Sequence, residues 1–242
     1  ERSRGLEMCI RDSDDAAGLA IASSMGAQIK SLNQEVRNAN DGISLLQTAE
    51  GATSTITTIL QRMRELAIQA QNNTYQDSDR TSMQTEVTAL MSEIGRIASA
   101  TKWNGMAVLD GSFTSKQVLV GDTSTVDISG TNMSTSTGLS LSGLSVSSVT
   151  GAASALTSID TALGTVSTAR ATMGATINRL QYTVDNLTNI STNLSASKSR
   201  IEDTDYSQAT AELAKRQVIQ QAATAMLAQA NQQPQVILAL LK

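Results

Sequence analysis

The sequence predicts a mainly α protein: a long antiparallel coiled-coil helical bundle from both chain ends, with a small central β-hairpin and loop region. Three observations lead to this fold class. Apolar residues recur at alternating spacings of three and four in both halves of the chain, as they do along a coiled-coil seam. Hydrophobic residues make up 40% of the 242 residues but aromatic ones only 2%, which suits thin layers between close-packed helices. The stretch between the two halves alternates like a strand and is rich in serine, threonine and glycine.

The N-terminal half contains two apolar seams separated by a polar turn. The aspartate pair at 14–15 is a suitable helix cap, because a carboxylate accepts the free N–H groups of a first turn. We expect one long helix, or two nearly collinear ones, ending near 72–73, with a change of seam phase near 49–51. Residues 77–79 offer the cap of a second helix, which should end at the turn-forming 103–105. The seam residues are Ile29, Leu32, Val36, Ala39, Ile43, Leu46, Ile56, Ile59, Met63, Leu66 and Ala70, followed by Met83, Val87, Leu90, Ile94 and Ile97.

The central region is predicted to contain a β-hairpin. Residues 116–120 and 125–129 alternate in a strand-like way on either side of Gly121-Asp122. The following residues, 129–150, are expected to form a loop or a short edge strand.

The C-terminal half contains the longest seam, and it predicts a third helix over 152–199. Arg170 and Ser191 fill the two polar positions of this seam. A last helix is expected over 208–230, and Pro234 is expected to interrupt or restart it. The third seam is Leu156, Ile159, Leu163, Val166, Met173, Ile177, Leu180, Val184, Leu187 and Leu194, and the last helix has Leu213, Ile219, Ala223, Met226 and Ala230 on one side.

These patterns divide the chain into five segments. Residues 1–13 have no helical or strand period, and a reverse translation of 7–13 resembles a transposase adapter used in sequencing libraries. Our hypothesis is that this leader is partly an artefact and that the true N-terminus is missing. The other segments are 14–105, the N-terminal arm of a helical core domain; 106–151, the hairpin and loop; 152–202, the C-terminal arm; and 203–242, a terminal helix.

The composition argues against an enzyme. The chain has no histidine and one cysteine, Cys9, which excludes histidine-based triads and histidine-containing zinc sites. No phosphate-loop lysine pattern occurs, and we expect no cofactor or metal. The net charge of −4 disfavours nucleic-acid binding, and no apolar stretch approaches the roughly 18 residues that a membrane span requires.

Segment 61–69 combines seam residues with a defined set of charged and polar residues, which is more than a solvated helix requires. Met63 and Leu66 lie on the seam, and residues at i, i+3 and i+7 form a polar face elsewhere on the helix. That face carries Arg62, Glu65 and Gln69. The alternative interpretation is a solvated charged face with a helical salt bridge.

The C-terminal run 236–241 consists of six consecutive apolar residues. As an exposed tail it would promote aggregation. It either folds back onto its own domain or is buried against other subunits, and we favour burial in an assembly.

Six motifs occur in order along the chain: DDAAG at 14–18, RNANDGIS at 37–44, QRMRELAIQ at 61–69, WNG at 103–105, SRIEDTDY at 199–206 and LAQANQ at 227–232. Together they resemble the motifs of bacterial flagellin. The resemblance covers about 14–103 and 152–242, whereas residues 3–13 depart from the family pattern and the middle is short.

The resemblance implies a structural subunit of the flagellar filament. It implies an antiparallel helical bundle, with both chain termini in an inner tube around a channel. Subunits would pass unfolded through this secretion channel, without a cleaved signal, and fold extracellularly under a cap. The implied partners are further copies of the chain, the flagellar cap, junction proteins and an export chaperone. With one terminal helix absent, the chain as it stands should polymerise poorly.

The resemblance also implies recognition by innate immune receptors. Seven residues match the surface that the Toll-like receptor for flagellin recognises, and the resemblance implies that they also lie in a subunit contact. They are Gln61, Arg62, Arg64, Glu65, Leu66, Gln69 and Glu86. The assembled polymer should therefore hide this surface. The residues expected in terminal assembly are Val236, Ile237, Leu238, Leu240 and Leu241, and the three leucines resemble those read by cytosolic flagellin sensors.

Three alternatives remain at this point. A hook–filament junction protein shares the helical ends, although the motifs at 37–44 and 199–206 favour a filament subunit. A membrane-surface binder would use the terminal amphipathic helix, but Lys215, Arg216 and Lys242 are few cations for that role. Some flagellins carry a protease insert, yet without histidine no HExxH motif is possible.

Overall fold

The computed structural model describes residues 16–113, 115–121, 124–203 and 206–240. The leader 1–13 and the predicted cap at 14–15 lie outside the described residues. The mainly α class predicted from the sequence is confirmed. In chain order the elements are α1 (Ala16–Gln71), α2 (Asp77–Ala100), β1 (Lys102–Trp103), β2 (Met106–Ala107), β3 (Lys116–Leu119), β4 (Thr125–Ile128), α3 (Val149–Glu202) and α4 (Tyr206–Leu240).

The chain divides into two compact units, residues 27–194 and residues 1–26 with 195–242. In the larger unit α1 and α3 run antiparallel, since Arg64 of α1 contacts Asp160 and Asn33 contacts Ser191. Their seams meet in the core, as the 3-4 spacing predicts, and α2 adds a third layer of side chains. Core residues at 0% exposure include Ile56, Leu60 and Met63 of α1, Val87 and Ile94 of α2, and Ile159, Val166 and Leu180 of α3.

Helix α1 is one continuous helix through the change of seam phase at 49–51. Thr53 is fully buried there, and its Oγ1 donates to the carbonyls of Ala49 at 3.1 Å and Glu50 at 2.9 Å. Because the hydroxyl bonds to its own helix, a polar residue can occupy the core without an unsatisfied group.

The two polar positions of the α3 seam are both paired with α1. Arg170 Nη2 lies 2.6 Å from Glu50 Oε1, and Ser191 donates to Asn33 Oδ1 at 3.3 Å. These positions therefore continue the interface between the helices rather than interrupt it.

The cap of α2 differs from the prediction. Gln76 is the N-cap residue, and Asp79 reaches back so that its Oδ2 accepts the Gln76 backbone N–H at 3.0 Å. The carboxylate therefore acts from the third helical position, as the acid of a capping box does, and not from the cap itself.

The predicted hairpin and the predicted turn at 103–105 are confirmed, although Asp122 of the hairpin turn lies outside the described residues. Strands β3 and β4 pair antiparallel, with Lys116 opposite Ile128. At 103–105 the turn closes a second, two-residue hairpin between β1 and β2, which the sequence analysis did not predict as strands. Asn104 has φ 46° and Gly105 φ 79°, and asparagine and glycine tolerate such positive angles best.

Residues 129–148 form a packed loop without a strand, and residues 149 and 150 already belong to α3. Met133, Leu141 and Val146 are fully buried, although their spacing follows no strand or helix period. Gln84 of α2 holds the end of the loop, because its Oε1 accepts the Val146 N–H at 2.6 Å and its Nε2 donates to the Leu144 carbonyl at 3.2 Å.

Gly42 of α1 allows the β3–β4 hairpin to approach the helix closely. A Cβ at this position would lie 3.2 Å from Ile128 Cδ1, 3.2 Å from Val118 Cγ2 and 3.4 Å from Leu180 Cδ1. The glycine of the 37–44 motif therefore lies where the hairpin packs against the bundle.

Gly42→Val is expected to lower the free energy of unfolding by about 2 kcal/mol, because two extra methyl groups overpack this contact. Gly51→Val is the matched control, since a Cβ at Gly51 meets nothing within 4 Å in the same helix. The control should be neutral or slightly stabilising, as valine is a better helix former than glycine. Urea denaturation followed by circular dichroism measures both variants, and equal effects would contradict the packing role of Gly42.

Helix α4 continues through Pro234, so the predicted interruption is wrong. Proline removes one backbone hydrogen bond and disfavours the helix locally. The bonds on either side remain available, and a proline can weaken or kink a helix without ending it.

Candidate functional site

The polar face of segment 61–69 points outward because Met63, Leu66 and Ala67 point into the bundle, whereas the apolar Ile68 is 47% exposed. Met63 is fully buried and Leu66 is 2% exposed, as their seam positions predict. Gln61, Glu65 and Gln69 are exposed. Leu66 thus belongs to the core beneath this surface, and it does not present its side chain to a partner.

Arg62 links α1 to α2 at the centre of this face. Its Nε donates to Glu86 Oε1 at 2.9 Å and its Nη1 donates to Glu65 Oε2 at 3.1 Å. The hydrogen bond to Glu86 is the largest of the effects that raise the pKa of Arg62, so the guanidinium stays charged. Since all three side chains are exposed, the cluster contributes little to stability and mainly fixes the position of the charges.

Arg64 lies on a different side of α1. Its Nε donates to Asp160 Oδ1 of α3 at 2.7 Å, and this hydrogen bond raises its pKa. The geometry of the helix explains the separation, because residues two apart are rotated by about 200° and point in nearly opposite directions. The structure therefore brings together Arg62, Glu65 and Glu86, and it places Arg64 at the α1–α3 edge.

The turn after segment 61–69 contains a feature that the sequence analysis missed. Arg80 is 5% exposed, and it donates from Nε to the Ala70 carbonyl at 2.9 Å and from Nη2 to the Asn72 carbonyl at 3.1 Å. Nearby, Gln69 donates to the Tyr75 hydroxyl at 3.1 Å. The available signal was a cation close behind a helix C-terminus, where free carbonyls need donors.

The described side chains of α4 between 207 and 230 are all exposed. Large apolar residues are among them, including the predicted Leu213 at 44%, Ile219 at 57% and Met226 at 70% exposure. Val218 and Leu227 are exposed as well, so the apolar residues are spread around the helix. Such a surface needs a covering partner.

The predicted assembly residues at the C-terminus are only partly described. The backbone at Val236, Ile237, Leu238 and Leu240 is helical, and their side chains lie outside the described residues. Leu241 lies outside them altogether. Their part in assembly stays a prediction.

An open groove of about 550 Å³ lies in the larger unit, between α1, α3 and the residues after β4. Leu46 and Met173 contribute apolar surface, and no ionisable side chain lines it. The hydroxyls of Thr172 and Thr176 donate to the carbonyls one turn earlier, at 3.0 and 2.9 Å. The groove therefore offers no acid, base or activated nucleophile.

The described residues hold neither a metal-binding cluster nor a membrane-spanning helix. No group of three or more Asp, Glu, Cys or His side chains is placed to hold a metal ion in that part of the chain. Within the same ranges, no helix has the length and apolar character that crossing a membrane requires.

Comparison with protein families connects these features to a known class. Residues 9–114 match the bacterial flagellin N-terminal helical region, and residues 156–241 match the bacterial flagellin C-terminal helical region. The chain belongs to the bacterial flagellin family. The match includes the polar face of 61–69 and the terminal helix, and between the two halves it leaves residues 115–155 unmatched, which hold the β3–β4 hairpin, the loop and the start of α3.

Individual relatives agree with this assignment. This flagellin is 44% identical to a flagellin of Halalkalibacterium halodurans, over 96% of its own chain and 86% of the relative. The crystal structure of Bacillus cereus flagellin covers 67% of this chain and 94% of its own, at 32% identity and a TM-score of 0.58. A flagellar hook-associated protein of Vibrio parahaemolyticus, at 17% identity and a TM-score of 0.66 over 78% of this chain and 99% of its own, shows a shared fold alone.

As a flagellin, the chain is a structural subunit that polymerises into the flagellar filament. The prediction made from the motifs at 14–18, 37–44 and 199–206 is confirmed. The junction-protein alternative receives no support beyond the fold.

Proposed function

We propose that this flagellin assembles through its terminal helix, α4. The supporting observation is the exposure of every described side chain between 207 and 230, large apolar residues included. A helix whose described side chains are exposed gains stability when other subunits cover them. The role is structural, and the absence of ionisable residues from the groove supports a non-enzymatic protein.

Polymerisation in ammonium sulfate tests this proposal, because excluded salts strengthen the burial of apolar surface. The chain of 242 residues is compared with the same chain preceded by the N-terminal segment of a related flagellin. Sedimentation and negative-stain microscopy should show filaments, most readily from the extended chain. A folded protein that forms no filaments in either form would contradict assembly by this route.

The remaining partners follow from family membership. We propose that the subunit is exported through the flagellar channel and acts outside the cell, with a cap, junction proteins and a chaperone as partners. Co-purification of the chain with each partner from a flagellated host is the direct measurement. Loss of export on removal of the flagellar secretion apparatus is the expected outcome, and unchanged appearance in the medium would contradict it.

We further propose that the monomer is recognised by the Toll-like receptor for flagellin through the cluster of Arg62, Glu65 and Glu86. The cluster is exposed, and its charges are fixed by hydrogen bonds of 2.9 and 3.1 Å. A fixed charge pattern favours specific recognition, because the partner need not order these side chains on binding. Polymer should be less active than monomer if a subunit contact covers the same surface.

Arg62→Ala and Glu86→Ala are each expected to weaken receptor activation roughly tenfold, as truncation of a central interface residue commonly does. Arg96→Ala is the matched control, because Arg96 is an exposed arginine on α2 that pairs only with its neighbour Glu93. The measurement is the half-maximal concentration in a reporter cell line, with circular dichroism to check folding. Equal losses in Arg62 and Arg96 variants would contradict a specific site.

A further inference from the structure

The tip of the β1–β2 hairpin carries the one Asn-Gly pair of the sequence, Asn104-Gly105. Both residues are exposed, and both have positive φ. A Cβ at Gly105 would meet nothing within 4 Å, so the space beside its Cα is open. Among the described residues, no hydrogen bond is recorded for the side-chain amide of Asn104. This amide is therefore free to move towards the next peptide nitrogen.

We propose that Asn104 is a site of spontaneous deamidation through a cyclic imide. The Gly105 backbone nitrogen loses its proton and attacks Asn104 Cγ, so that an N–C bond forms and the side-chain nitrogen leaves as ammonia. Water then adds to one of the two imide carbonyls and opens the ring to aspartate or isoaspartate. One water is consumed and one ammonia released, without oxidation or reduction. Glycine favours the step because no side chain shields its nitrogen.

Other asparagines in the described part of the chain lack this combination. Asn132 is also outside the helices, but the N–H of Met133 donates to the Leu109 carbonyl at 2.8 Å. The Asn132 side chain is held as well, since its Nδ2 donates to Thr137 at 2.9 Å. A nitrogen that is already hydrogen-bonded and a fixed amide both oppose ring closure, so Asn132 serves as an internal comparison.

The modification changes both charge and backbone at the hairpin. Either product changes the net charge from −4 to −5. Isoaspartate also routes the main chain through the former side chain and adds a carbon to it, which is incompatible with the pairing of Trp103 with Met106. Trp103 packs against the core and is the only tryptophan, so its fluorescence reports the loss of this turn.

The test incubates the folded full chain at pH 7 and pH 9 and follows two tryptic peptides by mass spectrometry, 103–116 for Asn104 and 117–170 for Asn132. Isoaspartate is quantified by transfer of a labelled methyl group with an isoaspartyl methyltransferase. We expect conversion at Asn104 to accelerate by about tenfold per pH unit, because the attacking nitrogen must be deprotonated. Asn132 should stay intact over the same time, and tryptophan emission should shift in parallel with conversion.

Two comparisons make the result decisive. Asn104→Gln requires a larger ring, so it should remain unmodified and keep its emission constant. The chain in urea shows the rate at which the same peptide reacts without the hairpin. Conversion in urea with an intact Asn104 in the folded chain would overturn the proposal, since the turn would then protect the site. Equal rates at Asn104 and Asn132 in the folded chain would overturn it too.

Discussion

Replacing Arg80 by methionine is expected to lower the free energy of unfolding by about 3 kcal/mol. The arginine side chain is buried and donates to the carbonyls of Ala70 at 2.9 Å and Asn72 at 3.1 Å, which end α1. Such terminal carbonyls have no partner within their own helix. Methionine keeps the apolar contacts of the arginine stem but removes both donors, so that the Ala70 carbonyl loses the Arg80 bond and the Asn72 carbonyl keeps only the Tyr75 N–H at 3.3 Å. Urea denaturation followed by far-ultraviolet circular dichroism measures the difference.

Two variants separate this effect from the loss of an ion pair. Arg96→Met removes an arginine whose bonds to Glu93 are as short, at 2.8 and 2.6 Å, but whose side chain is 65% exposed. Asp77→Ala removes the acidic partner of Arg80, which is 93% exposed, and retains both carbonyl bonds. Both variants should be close to the parent protein in stability. A loss as large in Asp77→Ala as in Arg80→Met would assign the effect to the salt bridge.

The helices and their inward faces could be predicted from the sequence because their signal is local. A spacing of three and four keeps Ile56 and Met63 on the same side of α1, and these residues are buried for that reason. The turn at Asn104-Gly105 was equally local, since it depends on the backbone preference of two adjacent residues.

Long-range contacts could not be predicted in this way. Gln84 accepts a hydrogen bond from the backbone of Val146, which is 62 residues away. Gly42 of α1 is required because Ile128 of the β3–β4 hairpin approaches the helix closely. The loop at 129–148 shows the same limit, because Met133 and Leu141 are buried without any periodic pattern. Burial there depends on which elements cover the loop, and the residues next to Met133 and Leu141 in the sequence do not indicate those elements.

The candidate surface was predictable in part. The outward position of Arg62 and Glu65 followed from the seam, and the inward position of Leu66 followed from it too. The pairing of Arg62 with Glu86 joins two helices and required the fold. Arg62 and Arg64 both lie on α1 but pair with different helices, α2 and α3. The pairing of Arg64 with Asp160 of α3 also required the fold.

Ile219→Glu combined with Met226→Glu is expected to abolish filament formation. The two residues are seven apart, so they share one side of α4, and they are 57% and 70% exposed in the isolated chain. If subunits cover this side, each interface must bury two carboxylates without partners, which costs several kcal/mol for each charge. The same variant should fold normally, because neither side chain is buried in the monomer. Sedimentation in ammonium sulfate and negative-stain microscopy measure assembly, and circular dichroism measures folding.

Gln217→Glu combined with Gln221→Glu is the matched control, because it adds the same charge to α4 without removing an apolar residue. Filaments from the control and none from the first variant would place the subunit contact on the side of α4 that carries Ile219 and Met226. Loss of filaments in both would mean that charge anywhere on the helix prevents assembly, which contradicts a contact confined to that side. Filaments from both would show that α4 is not buried between subunits, and its exposed apolar residues would then need a partner other than the polymer itself.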